Sequence, residues 1–311
     1  MRLAALSLAV FSTLAVAQGA PDQRANDWLE RFQQAPTEHD YKGIFVYERQ
    51  GVFSTHQVWH QISEKGVSER YLQLNGPAYE VVYQNAQVVC SSADQEATAT
   101  PERLSASIKL ENKQLARFYA PSILGYSRVA GRNTIVLLLM PRDQHRYAYE
   151  LYLDEQTSIP LMSLMLTSEG QLLERFQYAS FELADIDLTH IKGSESCIVS
   201  PVNEATPVSL DWVPAWLPTG FLLHSAMQEF NQQKQPSFTS YSYTDGLASF
   251  SVFVEPLHGE VAEDILLQVG PTAIAARKVC AGKRDVMATV VGEIPIGTAE
   301  RIAISVCSEE K

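Results

Sequence analysis

Short stretches of alternating or continuous apolar residues run along most of this chain and predict β-strands. Four of them follow one another with only short polar turns between them, at 134–140, 147–153, 159–167 and 172–183. Runs of this length, rich in Val, Leu and Tyr, are typical of an antiparallel meander. They carry more apolar side chain than one buried face needs. We therefore expect a helix, a partner or a ligand to cover the excess.

A second group of predicted strands precedes this meander. Ala25, Trp28, Leu29 and Phe32 share one apolar face and predict a helix over 22–34. Strands are then predicted at 43–49, 52–62, 68–74, 78–84 and 87–91, separated by turns that contain Gly or Asn. A polar loop at 92–101 and a helix within 105–119 complete this half. So many consecutive strands predict a sheet that curls into a half-open antiparallel β-barrel with helices in its mouth.

The composition changes at 191–207, where Gly, Ser and Pro accumulate, and this change predicts a linker. Beyond it we predict strands at 222–230, 237–243 and 248–254, a helix at 259–269, a hairpin of 272–279 with 286–291, and a helix at 298–306. The fold class is therefore α+β with two domains, the C-terminal one being smaller.

The N-terminus has the pattern of a secretory signal peptide. Arg2 precedes a mostly apolar run at 3–14, and Ala15-Val16-Ala17 fits a cleavage site after Ala17, or up to Ala20. The run is too short to span a bilayer. The predicted organisation is a signal peptide at 1–17, a first domain at 21–190, a linker at 191–210 and a second domain at 211–311, with a soluble, exported product.

The charge balance argues against a nucleic-acid partner. Lys and Arg number 24 against 36 Asp and Glu, a net charge of −12, so the chain has no broad basic footprint for phosphates. A local basic cluster, Arg277, Lys278, Lys283 and Arg284, lies on the predicted hairpin. It fits either an acidic partner segment or lipid phosphates, or else a solvated hairpin tip.

Four cysteines allow three disulfide connectivities, and the sequence does not choose between them. Pairing within each half, Cys90–Cys197 and Cys280–Cys307, is the simplest arrangement, and free buried thiols are the alternative. No C-x-x-C motif is present to indicate a zinc or thioredoxin-type site.

Catalytic motifs are absent from the sequence. His56 and His60 are four residues apart, but the glutamate of a zinc-peptidase helix is missing between them, so we interpret both as surface polar residues. The sequence has no G-x-S-x-G, P-loop or dinucleotide-binding turn. We therefore predict a binding protein with no catalytic residue, metal or cofactor.

Six motifs, in this order, carry a resemblance to a known family: 72–77 (LQLNGP), 80–82 (EVV), 146–149 (RYAY), 216–221 (WLPTGF), 243–252 (YTDGLASFSV) and 291–295 (VGEIP). Together they resemble the RseB/MucB family of periplasmic negative regulators of the envelope-stress sigma factor. The resemblance covers essentially the whole mature chain, although its motifs have no catalytic content and the four cysteines lie outside it.

The resemblance implies a first domain with the half-open barrel of the LolA/LolB lipoprotein carriers. It also implies that the second domain binds the periplasmic part of a membrane-spanning anti-sigma factor and shields it from the first proteolytic cut. Mislocalised lipoproteins or lipopolysaccharide in the barrel would release that block. Whether the protein forms a homodimer is left open by the sequence.

The residue pattern and the resemblance together suggest candidate site residues. Each candidate also has a purely structural interpretation. The candidates for a lipid cavity, which otherwise fill a closed core, are Val46, Trp59, Tyr71, Leu137, Leu139, Leu151 and Met162. The candidates for partner binding, besides the basic cluster, are Trp212, Trp216 and Phe221. The two tryptophans fit an interdomain or partner-binding surface, or else a cap over the core of the second domain.

Two other functions compete with the regulator. A periplasmic carrier of lipoproteins or lipids would use the same barrel, and it would leave the second domain unexplained. An exported hydrolase would need a catalytic motif that the sequence does not contain.

Overall fold

The computed structural model describes residues 23–92, 112–199, 212–230, 236–257, 262–281 and 284–308. The predicted signal peptide and nearly all of the predicted loop at 92–101 lie outside these residues. Within them the chain is mostly β, with two large antiparallel sheets and a small two-stranded one. No helix in these segments is long and apolar enough to cross a membrane.

The first sheet contains eleven strands. Their bounds are β1 Tyr41–Arg49, β2 Val52–Ser63, β3 Gly66–Gln73, β4 Glu80–Gln84, β5 Gln87–Ser91, β6 Tyr119–Val129, β7 Arg132–Pro141, β8 Ala148–Asp154, β9 Pro160–Leu166, β10 Leu172–Leu183 and β11 Ile198–Val199. The strand order is β11-β5-β4-β3-β2-β1-β10-β9-β8-β7-β6, so the pairing of β1 with β10 joins the two predicted meanders.

Several neighbouring strands are joined by tight hairpin turns. Gln50-Gly51, Asn85-Ala86 and Ala130-Gly131 each have two consecutive residues with positive φ. This is the geometry of the type I′ turn, whose twist matches that of the strands on either side. The turns therefore fix the register of the meanders. The sequence predicted the turns at Gln50-Gly51 and Asn85 but not the one at Ala130-Gly131.

Two helices cover the inner face of the sheet over β7 and β8. α1 (Gln23–Gln34) contributes Ala25, Leu29 and Phe32 to this contact, and α2 (Asn112–Phe118) contributes Leu115. They pack on alternate residues of the two strands: Ile135, Leu137, Leu139, Leu151 and Leu153. Each fully buried aliphatic side chain contributes about 1.5–3 kcal/mol. The excess apolar surface of the meander is therefore covered, in large part, by the chain's own helices.

The sheet is open but strongly curled. Its edge strands, β6 and β11, are not paired with each other. Cα atoms of β6 and β10 nevertheless approach within 8 Å, although three strands lie between them. A flat sheet would separate them by roughly 19 Å at the usual strand spacing. Val129 of β6 accordingly packs with Phe45 of β1 and Phe176 of β10.

A segment after β10 returns over the outer face of this sheet. It contains α3 (Leu188–Ile191) and ends in β11, which pairs with β5. Ile186 and Ile191 cover Trp59 and Val82, and a disulfide joins Cys90 of β5 to Cys197. Residues 191–199, predicted as linker, are therefore part of the first domain.

The second sheet contains six strands, and a small sheet and a helix accompany it. The bounds are β12 Trp212–Pro214, β13 Leu222–Phe230, β14 Pro236–Thr244, β15 Ser249–Leu257, β16 Ile265–Val269, β17 Thr272–Ala281, β18 Arg284–Gly292, α4 Ile296–Ile304 and β19 Val306–Ser308. The order of the six strands is β13-β14-β15-β18-β17-β16, and β12 pairs with β19. Helix α4 packs across β17 and β18.

The helix predicted at 259–269 is wrong, because residues 265–269 form β16. The apolar spacing of Val261, Ile265 and Leu266 is compatible with either element over so short a stretch. Gly270, with φ +59°, then turns the chain into β17. The helix predicted within 105–119 is present over Asn112–Phe118, and its first residues lie outside the described part of the chain.

Candidate functional site at the domain interface

The two domains meet at an ion pair between side chains that are both fully buried. Arg146, just before β8, donates from Nη1 to Asp245 Oδ2 at 2.6 Å. Tyr119 donates its hydroxyl to the same oxygen at 3.0 Å. The other carboxylate oxygen accepts the backbone N–H groups of Leu247 at 2.9 Å and Ala248 at 2.8 Å. Asp245 therefore closes its own turn and binds the first domain with one side chain.

Arg146 makes further hydrogen bonds to both domains. Nη2 donates to Thr219 O at 2.7 Å, in the second domain, and to Asp143 Oδ2 at 2.9 Å. Burial lowers the pKa of Arg146, but Asp245 and Asp143 raise it, and the net effect is a pKa above the usual value. The guanidinium thus stays charged and joins both domains.

Aromatic rings enclose the guanidinium of Arg146. Its central carbon lies 5.0 Å from the ring of Phe118, 5.6 Å from that of Tyr119 and 5.0 Å from that of Phe221. A cation over an aromatic face is stabilised most when water is excluded. A buried ion pair is strongly destabilising if one partner is removed. This cluster therefore selects one arrangement of the two domains.

Two further groups of contacts flank the ion pair. On one side, Arg49 donates from Nη2 to Thr272 Oγ1 at 2.7 Å and pairs with Glu293 at 3.1 Å, and Tyr147 donates to Ile294 O at 3.2 Å. On the other side lie His145, Trp216 and Thr298.

The second flank is built around Trp216. The ring of His145 meets the ring of Trp216 edge-on at 5.1 Å, and the Nδ1 of His145 lies 3.0 Å from Thr298 Oγ1. Arg301 lies over the indole, with its central carbon 3.8 Å from the ring centroid. Burial lowers the pKa of His145.

Gly220 allows the domains to approach closely. Its φ is +97°, and a Cβ atom there would lie 2.3 Å from the ring of Phe118 in the first domain. That distance is far inside van der Waals contact. Only glycine fits both the backbone conformation and the space.

Four of the six sequence motifs thus meet at one place. Arg146 comes from the motif at 146–149, Thr219 and Phe221 from 216–221, Asp245 from 243–252, and Glu293 and Ile294 from 291–295. We call this set of contacts the interdomain seam. The sequence suggested an interdomain or partner-binding surface at Trp212 and Trp216, but not the ion pair between Arg146 and Asp245. Tyr119, Arg49 and Thr272, which complete the seam, lie outside the motifs.

The predicted partner-binding residues have mixed surroundings. Phe221 is buried beside Arg146, and Trp216 lies in the seam, so these two residues serve the contact between domains. Trp212, on β12, packs against the core of the second domain.

Two members of the basic cluster are held in ion pairs. Arg277 pairs with Asp264 and Glu300, and Lys278 with Asp285 at 2.7 Å. The side chains of Lys283 and Arg284 lie outside the described part of the structure. Binding of an acidic partner by this cluster remains a prediction.

The seven cavity candidates do not share a surface, and this expectation is corrected. Tyr71, Leu137, Leu139 and Leu151 lie on the inner face, packed in buried clusters. Val46, Trp59 and Met162 alternate with buried inner residues such as Phe45 and Val58, so they lie on the outer face. Trp59 is covered there by the segment that carries the disulfide.

The expectation that His56 and His60 are surface residues is also wrong. Both are buried on the inner face, His60 completely. His60 Nδ1 lies 2.8 Å from Glu69 Oε1, and its ring stacks on Tyr41 at 4.4 Å. His56 stacks on Phe45, and burial lowers the pKa of His56 to about 4. Among the described residues, no group of three or more potential ligands is arranged to hold a metal ion.

The disulfide between Cys90 and Cys197, one of the two expected pairings, is present. The other is not formed, because Cys307 is a free, exposed cysteine in β19. The S–S bond ties β5 to a position 107 residues further along the chain, just before β11.

These features define a mostly β, two-domain protein whose sequence motifs hold the domains together. The MucB/RseB N-terminal domain family matches residues 24–203, and the MucB/RseB C-terminal domain family matches residues 206–307. The chain therefore belongs to the MucB/RseB family, as the resemblance in the sequence predicts. The two matches meet in the segment after β11.

The relatives are regulatory proteins. The Sigma factor AlgU regulatory protein MucB of Pseudomonas aeruginosa is 42% identical, with 99% of this chain and 98% of MucB covered. The Sigma-E factor regulatory protein RseB of Escherichia coli is 28% identical, with 96% and 95% covered. The chain is accordingly a regulatory protein and not an enzyme.

Solved structures of MucB share this fold. The complex of Pseudomonas aeruginosa MucA and MucB matches with a TM-score of 0.79 at 42% identity, covering 93% of this chain and all of that one. A structure of MucB in complex with MucA(peri) matches with a TM-score of 0.77 at 41% identity, covering 92% of this chain and all of that one.

Proposed function

We propose that this protein is a periplasmic regulator that binds the periplasmic part of a membrane anti-sigma factor and thereby controls an extracytoplasmic sigma factor. One observation carries the proposal: the full-length similarity to MucB, whose structure has been solved with MucA(peri). A relative at this identity, aligned over both domains, supports the same class of partner for this chain.

The seam supports the proposal in physical terms. Because Arg146, Asp245 and Tyr119 are buried together, the two domains present their surfaces in one fixed arrangement. A partner that contacts both domains then loses less conformational entropy on binding than it would with two freely moving domains. Shielding of the partner from a first proteolytic cut follows if the bound segment includes the cleavage site.

Location in the periplasm is part of the proposal. The signal-peptide pattern at 1–17 and the disulfide between Cys90 and Cys197 both support an exported protein, since disulfides persist in oxidising compartments.

Release by a lipid is the finer part of the proposal, and the inner face suggests how it would occur. Leu137, Leu139 and Leu151 are covered by α1 and α2, so an acyl chain reaches them only if a helix moves away. Each methylene buried in the helix's place would contribute about 0.8 kcal/mol. A ligand that binds only after this movement shifts the equilibrium toward the displaced state.

A direct test measures binding of the periplasmic segment of Pseudomonas aeruginosa MucA to the full mature protein, together with resistance of that segment to proteolysis. We expect a complex and slower cleavage. Absence of both binding and protection would reject the proposed function.

Titration of the complex with lipopolysaccharide, or with a diacylated lipopeptide, tests the lipid step. We expect the segment to become cleavable again as lipid is added. A carrier, the alternative function, would instead transfer the lipopeptide between two populations of vesicles while leaving cleavage of the segment unchanged.

A further inference from the structure

Strand β16 is an apolar edge strand, and among the described residues no strand pairs with its outer edge. All five of its residues are exposed, and four of them are aliphatic: Ile265, Leu266, Leu267 and Val269. The strand pairs with β17 on one side and ends the strand order of its sheet on the other. Its apolar side chains point to both faces, because successive residues of a strand alternate.

This edge differs from the other three edges of the two large sheets. The sheet of the first domain ends in β11, which has only two residues, and in β6, which is interrupted by a bulge at Ile123/Gly125. The second sheet ends on its other side in β13, which has two bulges. Short strands and bulges are the means by which proteins protect sheet edges from unwanted pairing. The register of β16 with β17 has no such interruption.

Contacts at both ends of β16 hold the strand in an ordered, extended conformation. At its start, Asp264 accepts the backbone N–H of Lys278 at 3.1 Å and pairs with Arg277 at 3.6 Å. At its end, Gln268 donates to Gly270 O at 2.8 Å within the turn. A strand that is already ordered loses little entropy when a partner adds to it.

The hairpin geometry determines which backbone groups face outward. Val269 and Thr272 flank a two-residue turn and form a hydrogen-bonded pair, and such pairs alternate along an antiparallel ladder. The N–H and C=O groups of Leu266 and Gln268 therefore point away from β17. They are available to an added strand.

The end of this edge also touches the first domain. A Cβ atom at Gly270 would lie 2.9 Å from Gln50 Cγ, in the turn between β1 and β2. Val52 and Phe53, which follow that turn, are strongly exposed. The hairpin that carries β16 therefore lies against the turn that precedes these two exposed apolar residues.

We propose that β16 accepts an extended, apolar segment of the anti-sigma factor's periplasmic part as an additional antiparallel strand. This inference rests on the proposed function and names the contact. Only extended backbone satisfies a sheet edge, and apolar residues on both faces select a segment with apolar side chains. The net charge of −12 favours a segment that is not acidic.

A second copy of this chain is the less suitable occupant. Two strands of five residues pairing edge to edge bring far fewer residues together than the roughly 20–30 a side of a standard interface. A partner chain has no such limit, because it extends beyond the edge, towards Phe53 and the seam.

The test uses the full mature protein and the periplasmic segment of Pseudomonas aeruginosa MucA as the probe. Leu266→Pro removes an outward N–H without removing a ladder bond to β17, and edge strands tolerate proline in that position. We expect it to weaken binding about tenfold, whereas the matched control Leu266→Ala, which keeps the N–H, weakens binding by about threefold or less.

Amide hydrogen exchange of the unmodified protein keeps the test independent of how the variant folds. On binding the probe, the amides of Leu266 and Gln268 are expected to exchange at least about tenfold more slowly. Binding with unchanged exchange across 265–269 overturns the edge inference and leaves the proposed function intact. A homodimer that Leu266→Pro dissociates also overturns it. If the probe does not bind at all, the proposed function and this inference fail together.

Discussion

Arg146 is a buried cation, and its place in the sequence is unusual for an arginine. It stands between a polar turn and the apolar strand β8, in a position where a solvated arginine is not expected. A charge so placed requires a partner. The sequence supplied the motif but not the partner, because Asp245 lies 99 residues away in the other domain.

Removal of one member of this ion pair tests its contribution to stability. Asp245→Leu leaves the buried guanidinium of Arg146 with only the partly exposed Asp143 as its ionic partner, so we expect a loss of about 3 kcal/mol in the free energy of unfolding, the low end for breaking a buried pair. The double variant Arg146→Met/Asp245→Leu leaves no buried charge and should recover much of this loss. Urea unfolding of both single variants and the double variant gives the coupling. Additive losses would contradict the proposed role.

His56 predicts a specific dependence of stability on pH. Burial lowers its pKa in the folded protein to about 4, from the ordinary value of 6.5. As the pH falls, the unfolded chain binds the proton first, so the contribution of His56 to stability is complete above pH 6.5 and is lost towards pH 4. The free energy of unfolding should fall by at most about 3 kcal/mol across this window.

The variant His56→Phe, which keeps the ring stacked on Phe45, should reduce this slope, and the remaining part includes His145, whose pKa burial also lowers. His224→Gln, at an exposed position of β13, is the control and should leave the slope unchanged. The carboxylates Glu80 and Asp154 do not interfere: burial raises the pKa of each, hydrogen bonds outweigh this, and the pKa values are lowered. Their contributions are lost mainly below pH 4.5. An unchanged slope in His56→Phe would assign the dependence to other groups.

At the scale of elements, the hydrophobic pattern predicts most strands but not their faces. Alternation and turn residues locate nine of the first sheet's strands, and β6 and β11 were missed. Pro121 and a bulge at Gly125 interrupt the pattern of β6, and β11 has only two residues. Three of the seven cavity candidates lie on the outer face for a different reason: burial on one face depends on which residues the helices and the returning segment cover. Single strands do not encode that information.

The segment that follows β10 gives a prediction at this scale. Replacing Cys197 with Ser removes the covalent link to β5, and we expect a loss of about 2–4 kcal/mol, since the bond constrains a long loop in the unfolded chain. Limited proteolysis should then cut near 192–196, because only the hydrogen bonds of Ser194 to Glu80 and the short, exposed pairing of β11 with β5 flank that stretch after Ile191. Cys307→Ser, which alters a free thiol, is the matched control. Equal stability of Cys197→Ser and the native protein would show that packing suffices.

At the scale of the whole molecule, the seam makes two domains behave as one. The sequence predicted a linker from residue 191 onward, and the structure places residues 191–199 in the first domain. The arrangement of the domains was beyond prediction, because it depends on contacts between residues that are distant in sequence, such as Arg49 with Glu293 and Tyr147 with Ile294.

Gly220→Ala is expected to separate the domains without removing a charge. The added methyl group would meet the ring of Phe118, and the seam would have to open to admit it. Scanning calorimetry should show one unfolding transition for the native protein and two for the variant. Gly170→Ala provides the matched control, since Gly170 also has a positive φ, of +81°, but has open space around its Cβ position. A single transition in Gly220→Ala would indicate that other contacts govern the coupling.

The pairing of β1 with β10 has a consequence for how the protein matures. Tyr41 pairs with Leu183, so the hydrogen bonds between β1 and β10 cannot form until nearly the whole domain is available for folding. Contacts between such distant parts of a chain form slowly. During that interval the edge of β1 that will pair with β10 is unpaired, and the aromatic side chains on its inner face are uncovered. Incompletely folded molecules are then most susceptible to aggregation and proteolysis. Any chaperone that this protein needs should act on the stretch from β1 to β5.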